Sequence, residues 1–146
     1  MLRIVFVLLI WLIMLSSIAF GALVDNGDGT VTDAGSDLMW QKQGSSNTMT
    51  WRRALNYCDD LMLSSYDDWR LPTLDELKSL IDSKGLDPAI NTEFFPKTFS
   101  STYWTSTTFQ YRTDGAWYVS FYNGNKGVEA KSESRKGEHY PSLTRA

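Results

Sequence analysis

Side chains that could act as nucleophiles or general bases are scarce in this sequence. Its 146 residues include one cysteine, Cys58, and one histidine, His139. A Ser-His-Asp triad needs a histidine held in place from both sides, whereas His139 lies in a tail without a clear strand or helix pattern. Cys58 falls on the apolar face of a predicted helix without a basic neighbour, where a thiol is buried and unreactive. We therefore predict no catalytic residue and no enzymatic activity.

Acidic residues and metal ligands give no stronger indication of catalysis or of a metal site. The neighbouring pairs Asp59-Asp60 and Asp67-Asp68 could do acid–base work, but adjacent acids on a helix face or a turn are usually only solvated. The second pair could instead hold Arg70 in an ion pair. The aspartates between positions 25 and 33 fit no frame of an EF-hand loop. One cysteine and one histidine cannot build a zinc cage or attach haem, so we expect neither metal nor cofactor.

A different group of residues could bind a sugar, because sugar recognition combines aromatic faces with planar polar side chains. Aromatic, amide and lysine side chains lie along a predicted hairpin and the strand before it, with Tyr111 nearby in the sequence. The motifs of calcium-dependent lectins are absent. The alternative, that the tyrosines pack beneath a long loop, stays open. The candidate ligand-binding residues are Trp104, Tyr118, Tyr122, Asn123, Asn125 and Lys131.

Composition and charge limit the class of partner. With 42% hydrophobic and 14% aromatic residues the chain is too apolar for disorder, and its length corresponds to one domain. Fourteen basic and 17 acidic residues give a net charge of −3. Nucleic-acid binding is therefore not expected, since contacts with phosphates need a cationic excess.

Two helices are predicted in the middle of the chain. The first covers residues 51–62 and begins at Thr50 as its N-cap, with apolar residues at helical spacing. The second covers 74–82, where Thr73 and Glu76 form a capping box and Gly85 ends the last turn. Both have one apolar and one polar face, which is typical of helices that pack on a core.

A β-hairpin is predicted near the end of the chain, with strands over 117–122 and 128–132 around the turn Asn123-Gly124. A turn centred on those two residues pairs Val119 with Val128, and a shift by one residue pairs Phe121 with Val128. Both registers divide the side chains in the same way. The inward face carries Trp117, Val119, Phe121, Val128 and Ala130; the outward face carries Tyr118, Tyr122, Glu129 and Lys131.

The order of the elements predicts the fold class. Short strands flank a turn-rich segment over 25–37, the two helices follow, and residues 86–101 form a long irregular loop that is either functional or fixed by its own aromatic residues. Another strand is predicted over 103–108. We expect an α+β domain in which two helices pack on a small antiparallel sheet with long loops.

The first 21 residues have the pattern of a secretory signal peptide. Arg3 precedes an apolar run over Ile4–Leu15, and Ala19 and Gly21 are the small residues of a cleavage site. The alternative is an uncleaved membrane anchor, although the apolar stretch is at the lower limit of the ~20 residues needed to span a bilayer. Both alternatives place residues 22–146 outside the cytoplasm. We predict a secreted or periplasmic domain over 22–146, in contact with a membrane only if the signal segment is retained.

A series of short motifs occurs in order along the chain, and together they resemble the Lcl C-terminal domain family, long catalogued as a domain of unknown function. The resemblance covers almost all of residues 22–146. It implies a C-type-lectin-like fold, an extracytoplasmic bacterial domain, and a role in adhesion or carbohydrate binding. The motifs are Asp25–Asp33 (DNGDGTVTD), Leu38–Gln41 (LMWQ), Tyr66–Thr73 (YDDWRLPT), Tyr103–Ser106 (YWTS) and Ala116–Val119 (AWYV).

The end of the chain departs from that family. Members usually end in a strand similar to Val-Arg-Cys-Val-Arg, whereas residues 137–146 diverge, and Pro141 cannot donate to a ladder. We expect a degenerate last strand. If family members bridge the two cysteine positions, Cys58 lacks its partner, and the chain lacks a bond worth about 2–5 kcal/mol.

The sequence thus predicts a non-enzymatic binding or adhesion module for a glycan or another cell-surface ligand. The alternative is a structural or protein-interaction domain without a small ligand. The oligomeric state stays open.

Overall fold

A computed structural model describes residues 22–84, 87–132, 138–142 and 144–146. The predicted signal segment, residues 1–21, and the predicted helix end at Gly85 lie outside these ranges. In the part of the chain that is described, no helix combines the length and the apolar character needed to cross a bilayer.

The first sheet joins the beginning of the domain to its end. It contains β1 (Leu23–Asp25), β2 (Thr30–Asp33), β3 (Leu38–Gln41) and β8 (Thr144–Arg145), in the order β1-β2-β3-β8, with all pairs antiparallel. The predicted turn between the first strands is present: Gly27 and Gly29 have positive φ angles of 75° and 91°, which favour glycine.

Helix α1 (Trp51–Asp59) begins where predicted, and the side chain of Thr50 accepts a hydrogen bond from the Arg53 amide. The predicted end at residue 62 is wrong, because the chain leaves the helix at Asp60. The next residues form a tight turn in which Leu63 and Tyr66 exchange backbone hydrogen bonds. Met62, the last residue of the predicted helix, is 73% exposed.

Helix α2 (Leu74–Ser79) has the predicted capping box between Thr73 and Glu76, but it ends three residues before the predicted end. The residue after its C-cap, Ile81, pairs instead with Ile90 in an isolated bridge. Arg70 donates to both carboxylate oxygens of Glu76, each at 2.8 Å. The expectation that the Asp67-Asp68 pair holds Arg70 is therefore wrong.

The second sheet contains β4 (Thr102–Thr108), β5 (Gly115–Ser120), β6 (Lys126–Ala130) and β7 (Tyr140–Pro141), in the order β6-β5-β4-β7. Its pairs are antiparallel except that β7 runs parallel to β4. Trp117 pairs with Val128, so neither predicted hairpin register is correct. The connection is longer than a two-residue turn, since the Ser120 amide closes it by donating to the Asn125 carbonyl at 2.7 Å.

The end of the chain is more ordered than predicted. Instead of a degenerate strand, it forms two short strands, β7 and β8, one in each sheet. Pro141 is tolerated because β7 is an edge strand, where a missing N–H leaves no partner in the sheet unsatisfied. The tail therefore completes both sheets.

Both faces of the second sheet are covered by core residues. Val119 and Phe121 belong to one core together with Leu77 of α2. Trp104 and Ala116 belong to a second core together with Ala54 of α1. Since successive strand residues point to opposite faces, the two cores lie on the two sides of this sheet. The domain is thus α+β, with two helices and two mostly antiparallel sheets.

The long loop over residues 86–101 is irregular where it is described, as predicted. Its own aromatic side chain Phe95 is buried in the first core, which explains how a loop of this length is held.

Candidate functional site

Trp104 is not a surface residue, and its assignment to a binding site is corrected here. Its side chain is 0% exposed, and its indole N–H donates to the Met49 carbonyl at 2.8 Å. It lies on the face of β4 that α1 and the tail cover, and its ring therefore contributes to the second core.

Tyr118 also faces the second core, although the hairpin pattern predicted a solvent-facing side chain. Its ring is half-buried and stacks on His139, with the ring centres 4.6 Å apart. The prediction failed because the side of the hairpin opposite the first core is covered by α1 and the tail. Tyr118 is fixed by packing and offers no free ring face on that side.

The residues of the hairpin turn are exposed, as predicted. Tyr122 is 61% exposed, and Asn123 and Asn125 lie on either side of Gly124 at the surface. The side-chain oxygen of Asn123 accepts a hydrogen bond from the Asn125 amide at 3.1 Å, so it is already engaged within the turn. The turn therefore presents an aromatic ring beside amide groups.

Lys131 is a structural residue at the other end of β6. Its ammonium donates to the Thr108 hydroxyl at 2.7 Å and to the Thr113 carbonyl at 3.1 Å, and it lies 4.3 Å from the centre of the Trp51 ring. Strand β6 separates it from the turn by five residues, or ~17 Å at about 3.3 Å per residue. The structure thus does not bring the six predicted residues together.

An exposed aromatic cluster lies where the sequence predicted none. Tyr111 is 81% exposed, and its ring packs edge-on against Phe109 at 5.4 Å. Phe109 packs in the same way against Trp117, also at 5.4 Å. The Lys126 ammonium lies 4.9 Å from the centre of the Trp117 ring. We name these four residues, Phe109, Tyr111, Trp117 and Lys126, the aromatic platform.

The aromatic platform is exposed because the residues that cover the first core do not extend over the whole length of β5. Val119 is completely buried, whereas Trp117, two residues earlier on the same face, is half-buried. The sequence placed Trp117 on the inward face, and that face is not covered along its whole length. Lys126 pairs with Val119 in the sheet and follows Asn125 directly, so the platform continues into the hairpin turn.

The loop that carries Tyr111 is held by backbone hydrogen bonds. The Phe109 amide donates to the Gly115 carbonyl at 2.9 Å, and the Gly115 amide donates to the Arg112 carbonyl at 2.9 Å. A side chain at Gly115 would meet a Val128 methyl group at 3.0 Å, which explains the glycine. The exposed ring therefore stands on a defined backbone. In the sequence, aromatic and polar residues alternate over Phe109-Gln110-Tyr111, directly after a predicted strand. This alternation was the feature that could have indicated the cluster.

Among the titratable groups whose pKa values are shifted by their surroundings, three bear on the chemistry of the domain. Burial raises the pKa of the Cys58 thiol to about 12, and the thiol donates to the Ala54 carbonyl at 3.1 Å. The bond from Arg70 lowers the pKa of Glu76 to about 2. Burial lowers the pKa of His139 to about 4. Across the described ranges, no three His, Cys, Asp or Glu side chains group as metal ligands would.

A shallow cleft lies apart from the aromatic platform. It encloses about 420 Å³ beside the half-exposed ring of Phe99, between the loop after β3 and the end of the long loop. Its lining exposes more apolar than polar surface and is formed by Gln43, Gly44, Ser46, Pro96, Lys97, Thr98 and Phe99.

The α+β fold and the motif series agree with the comparison with known families. The model of the Lcl C-terminal domain matches residues 29–138, which is more than half of the chain. The protein belongs to the Lcl C-terminal domain family. The match includes both helices and the whole aromatic platform and ends before the tail strands β7 and β8. No curated protein matches the chain.

Proposed function

We propose that this protein is an extracytoplasmic, non-enzymatic binding module that attaches to a glycan through the aromatic platform. The observation that carries the proposal is the ring of Tyr111, 81% exposed on a loop whose backbone is hydrogen-bonded. A held aromatic ring loses little conformational entropy when a ligand covers it. Such a ring suits the apolar face of a sugar.

The energetics are adequate for weak to moderate binding. Covering about 100 Å² of the Tyr111 and Trp117 rings contributes roughly 2.5 kcal/mol before the cost of ordering the ligand. Several such contacts along a polymer would add, because a second attachment on the same chain is effectively intramolecular. A module of this kind fits adhesion to a polysaccharide surface.

Polar groups beside the rings would give the platform its specificity. The Lys126 ammonium stands at one end of the aromatic row, and the exposed amides of Asn123 and Asn125 follow in the turn. These groups offer donors and acceptors to sugar hydroxyls. Tyr122 is a further exposed ring at that end.

The assignment to a fold superfamily and the cellular location of the domain belong to the same proposal. We place the domain in the C-type-lectin-like superfamily because its resemblance to the Lcl C-terminal domain family implies that fold, and because its first and last strands share one sheet. We place it outside the cytoplasm because of the signal-peptide pattern over residues 1–21.

A glycan array with purified protein tests the proposal. We expect binding to at least one polysaccharide, and Tyr111→Ala should reduce that binding at least tenfold without changing the melting temperature by more than a few degrees. Met62→Ala is the control, since it removes another highly exposed apolar side chain, 73% exposed, from the turn after α1 and away from the platform. If Tyr111→Ala binds as well as the unchanged protein, the platform is not the site. If no glycan is bound, the alternative of a protein-interaction domain is favoured.

A further inference from the structure

The imidazole of His139 is enclosed by two aromatic rings. His139 is 8% exposed, its ring packs edge-on against Trp104 at 4.3 Å, and it stacks on Tyr118 at 4.6 Å. Its Nδ1 lies 2.5 Å from the Thr102 hydroxyl. Its Nε2 is buried and has no hydrogen-bond partner within the described ranges. This enclosure keeps water from the ring, and a charged imidazole, whose Nε2–H would be buried without a partner, is disfavoured more by that than a neutral one.

His139 also anchors the first described part of the tail, residues 138–142. The backbone of His139 exchanges two hydrogen bonds with Met49, at 3.0 and 3.1 Å, and the next two residues form β7 beside β4. The second described part of the tail, residues 144–146, is held independently of the first. Thr144 exchanges two backbone hydrogen bonds with Arg70, and Arg145 is paired with Asp68.

We propose that residues 138–142 form an acid-released latch: protonation of His139 detaches this segment and uncovers Tyr103 and Trp104, while strand β8 stays in place. The proposal is independent of the proposed function. It rests on the enclosed ring and on the separate attachment of the two parts of the tail.

The direction of the effect follows from proton linkage. Burial holds the pKa of His139 near 4 in the closed state, whereas a solvated imidazole has a pKa of ~6.5. The open state therefore binds the proton more tightly, and the closed state loses stability as the pH falls from about 6.5 toward 4. One proton changes the open-to-closed ratio by up to about tenfold per pH unit in this window.

The other titratable groups near the ring do not remove this effect. The carboxylate of Glu129 on β6 favours the charged imidazole, but burial is the larger cause. Tyr118 of β5 packs on the ring, and the second core also contains Cys58 of α1, whose thiol is neutral at these pH values because burial raises its pKa. On the tail, Glu138 accepts a hydrogen bond from the Thr48 hydroxyl, and Tyr140 packs on Phe99 and Tyr103.

Residue-resolved amide hydrogen exchange between pH 7 and 4.5, corrected for intrinsic rates, tests the latch. We expect the protection of the Met49 and His139 amides to fall by about tenfold per pH unit below pH 6. The Arg70 and Thr144 amides report on β8, and the Lys42 amide, which donates to Gly29 at 2.9 Å, reports on the first sheet. These three should keep their protection. A parallel fall of all five would mean global unfolding and would overturn the proposal, as would a flat profile at Met49 and His139.

The control variant is His139→Phe, which keeps an aromatic ring between Trp104 and Tyr118 but takes up no proton. Its Met49 amide should stay protected down to pH 4.5; the same acid-dependent loss in this variant would contradict the latch. If the variant does not fold, NMR titration of the imidazole decides, because the chain has a single histidine. A pKa near 4 supports the latch, and a pKa of 6.5 or above overturns it.

Discussion

Arg145 and Asp68 form a two-bond ion pair that ties the end of the chain to the segment before α2. The guanidinium donates to both carboxylate oxygens, at 2.6 and 2.9 Å, and lies 3.8 Å from the centre of the Tyr66 ring. Because the two residues are 77 positions apart, this contact closes most of the domain into one loop. The tail is thus an integral part of the fold.

The pair should stabilise the domain in a way that depends on both partners. Arg145→Ala should lower the melting temperature, and Asp68→Asn should lower it less, since the guanidinium also covers Tyr66. In the double variant the two effects should not add. A double-mutant cycle followed by thermal unfolding measures this coupling. Full additivity would show that the ion pair contributes nothing.

The Arg70–Glu76 pair should make stability depend on acid pH. The pKa of Glu76 is lowered to about 2 in the folded domain, from ~4.3 in an unfolded chain. Its contribution is therefore present above about pH 4.5 and is lost as the pH falls toward 2. Glu76→Gln should cost about 1 kcal/mol at pH 7, a modest value because Arg70 is partly exposed and screened by solvent. Urea unfolding at pH 7 and pH 2.5 should show a much smaller difference at the lower pH; an equal difference at both would contradict the assignment.

Gly127 leaves room for the Tyr118 ring on the neighbouring strand. A Cβ at this position would overlap that ring, and the ring has little freedom to move because it stacks on His139. Gly127→Ala should therefore destabilise the domain by about 1–3 kcal/mol. Chemical denaturation measures the loss. In a Tyr118→Leu background the cost should be smaller, and an unchanged cost would locate the strain elsewhere.

The two lysines of the hairpin should have different roles. Lys126→Ala should weaken glycan binding severalfold and leave the melting temperature nearly unchanged, because its ammonium lies exposed over Trp117. Lys131→Ala should lower the melting temperature, because it removes two hydrogen bonds and the contact with Trp51. Affinity and thermal unfolding are measured for both variants. The reverse pattern would return Lys131 to the binding site and remove Lys126 from it.

Local features of the fold could be predicted because neighbouring residues determine them. Thr73 and Glu76 are three positions apart, and their reciprocal hydrogen bonds need no other part of the chain. The glycine-rich turn before β2 is predictable for the same reason. The hairpin faces were assigned correctly as two alternating sets, although the register was wrong, because a shift by an even number of residues preserves the alternation.

The candidate site could not be predicted because it depends on what covers each face. Trp104 and Trp117 are both strand tryptophans, and their surroundings differ only because α1 and the tail cover one of them. The tail contacts join positions far apart, such as His139 with Met49 and Thr144 with Arg70. Periodicity within one strand carries no information about such pairings.

The most direct test of the binding proposal is an NMR titration of the labelled protein with a glycan selected on the array. We predict that amide shifts concentrate at residues 109–117 and at Lys126, and that the indole N–H of Trp117 moves while that of the buried Trp104 does not. Shifts confined to the cleft around Lys97 and Phe99, or to the second core, would contradict the account.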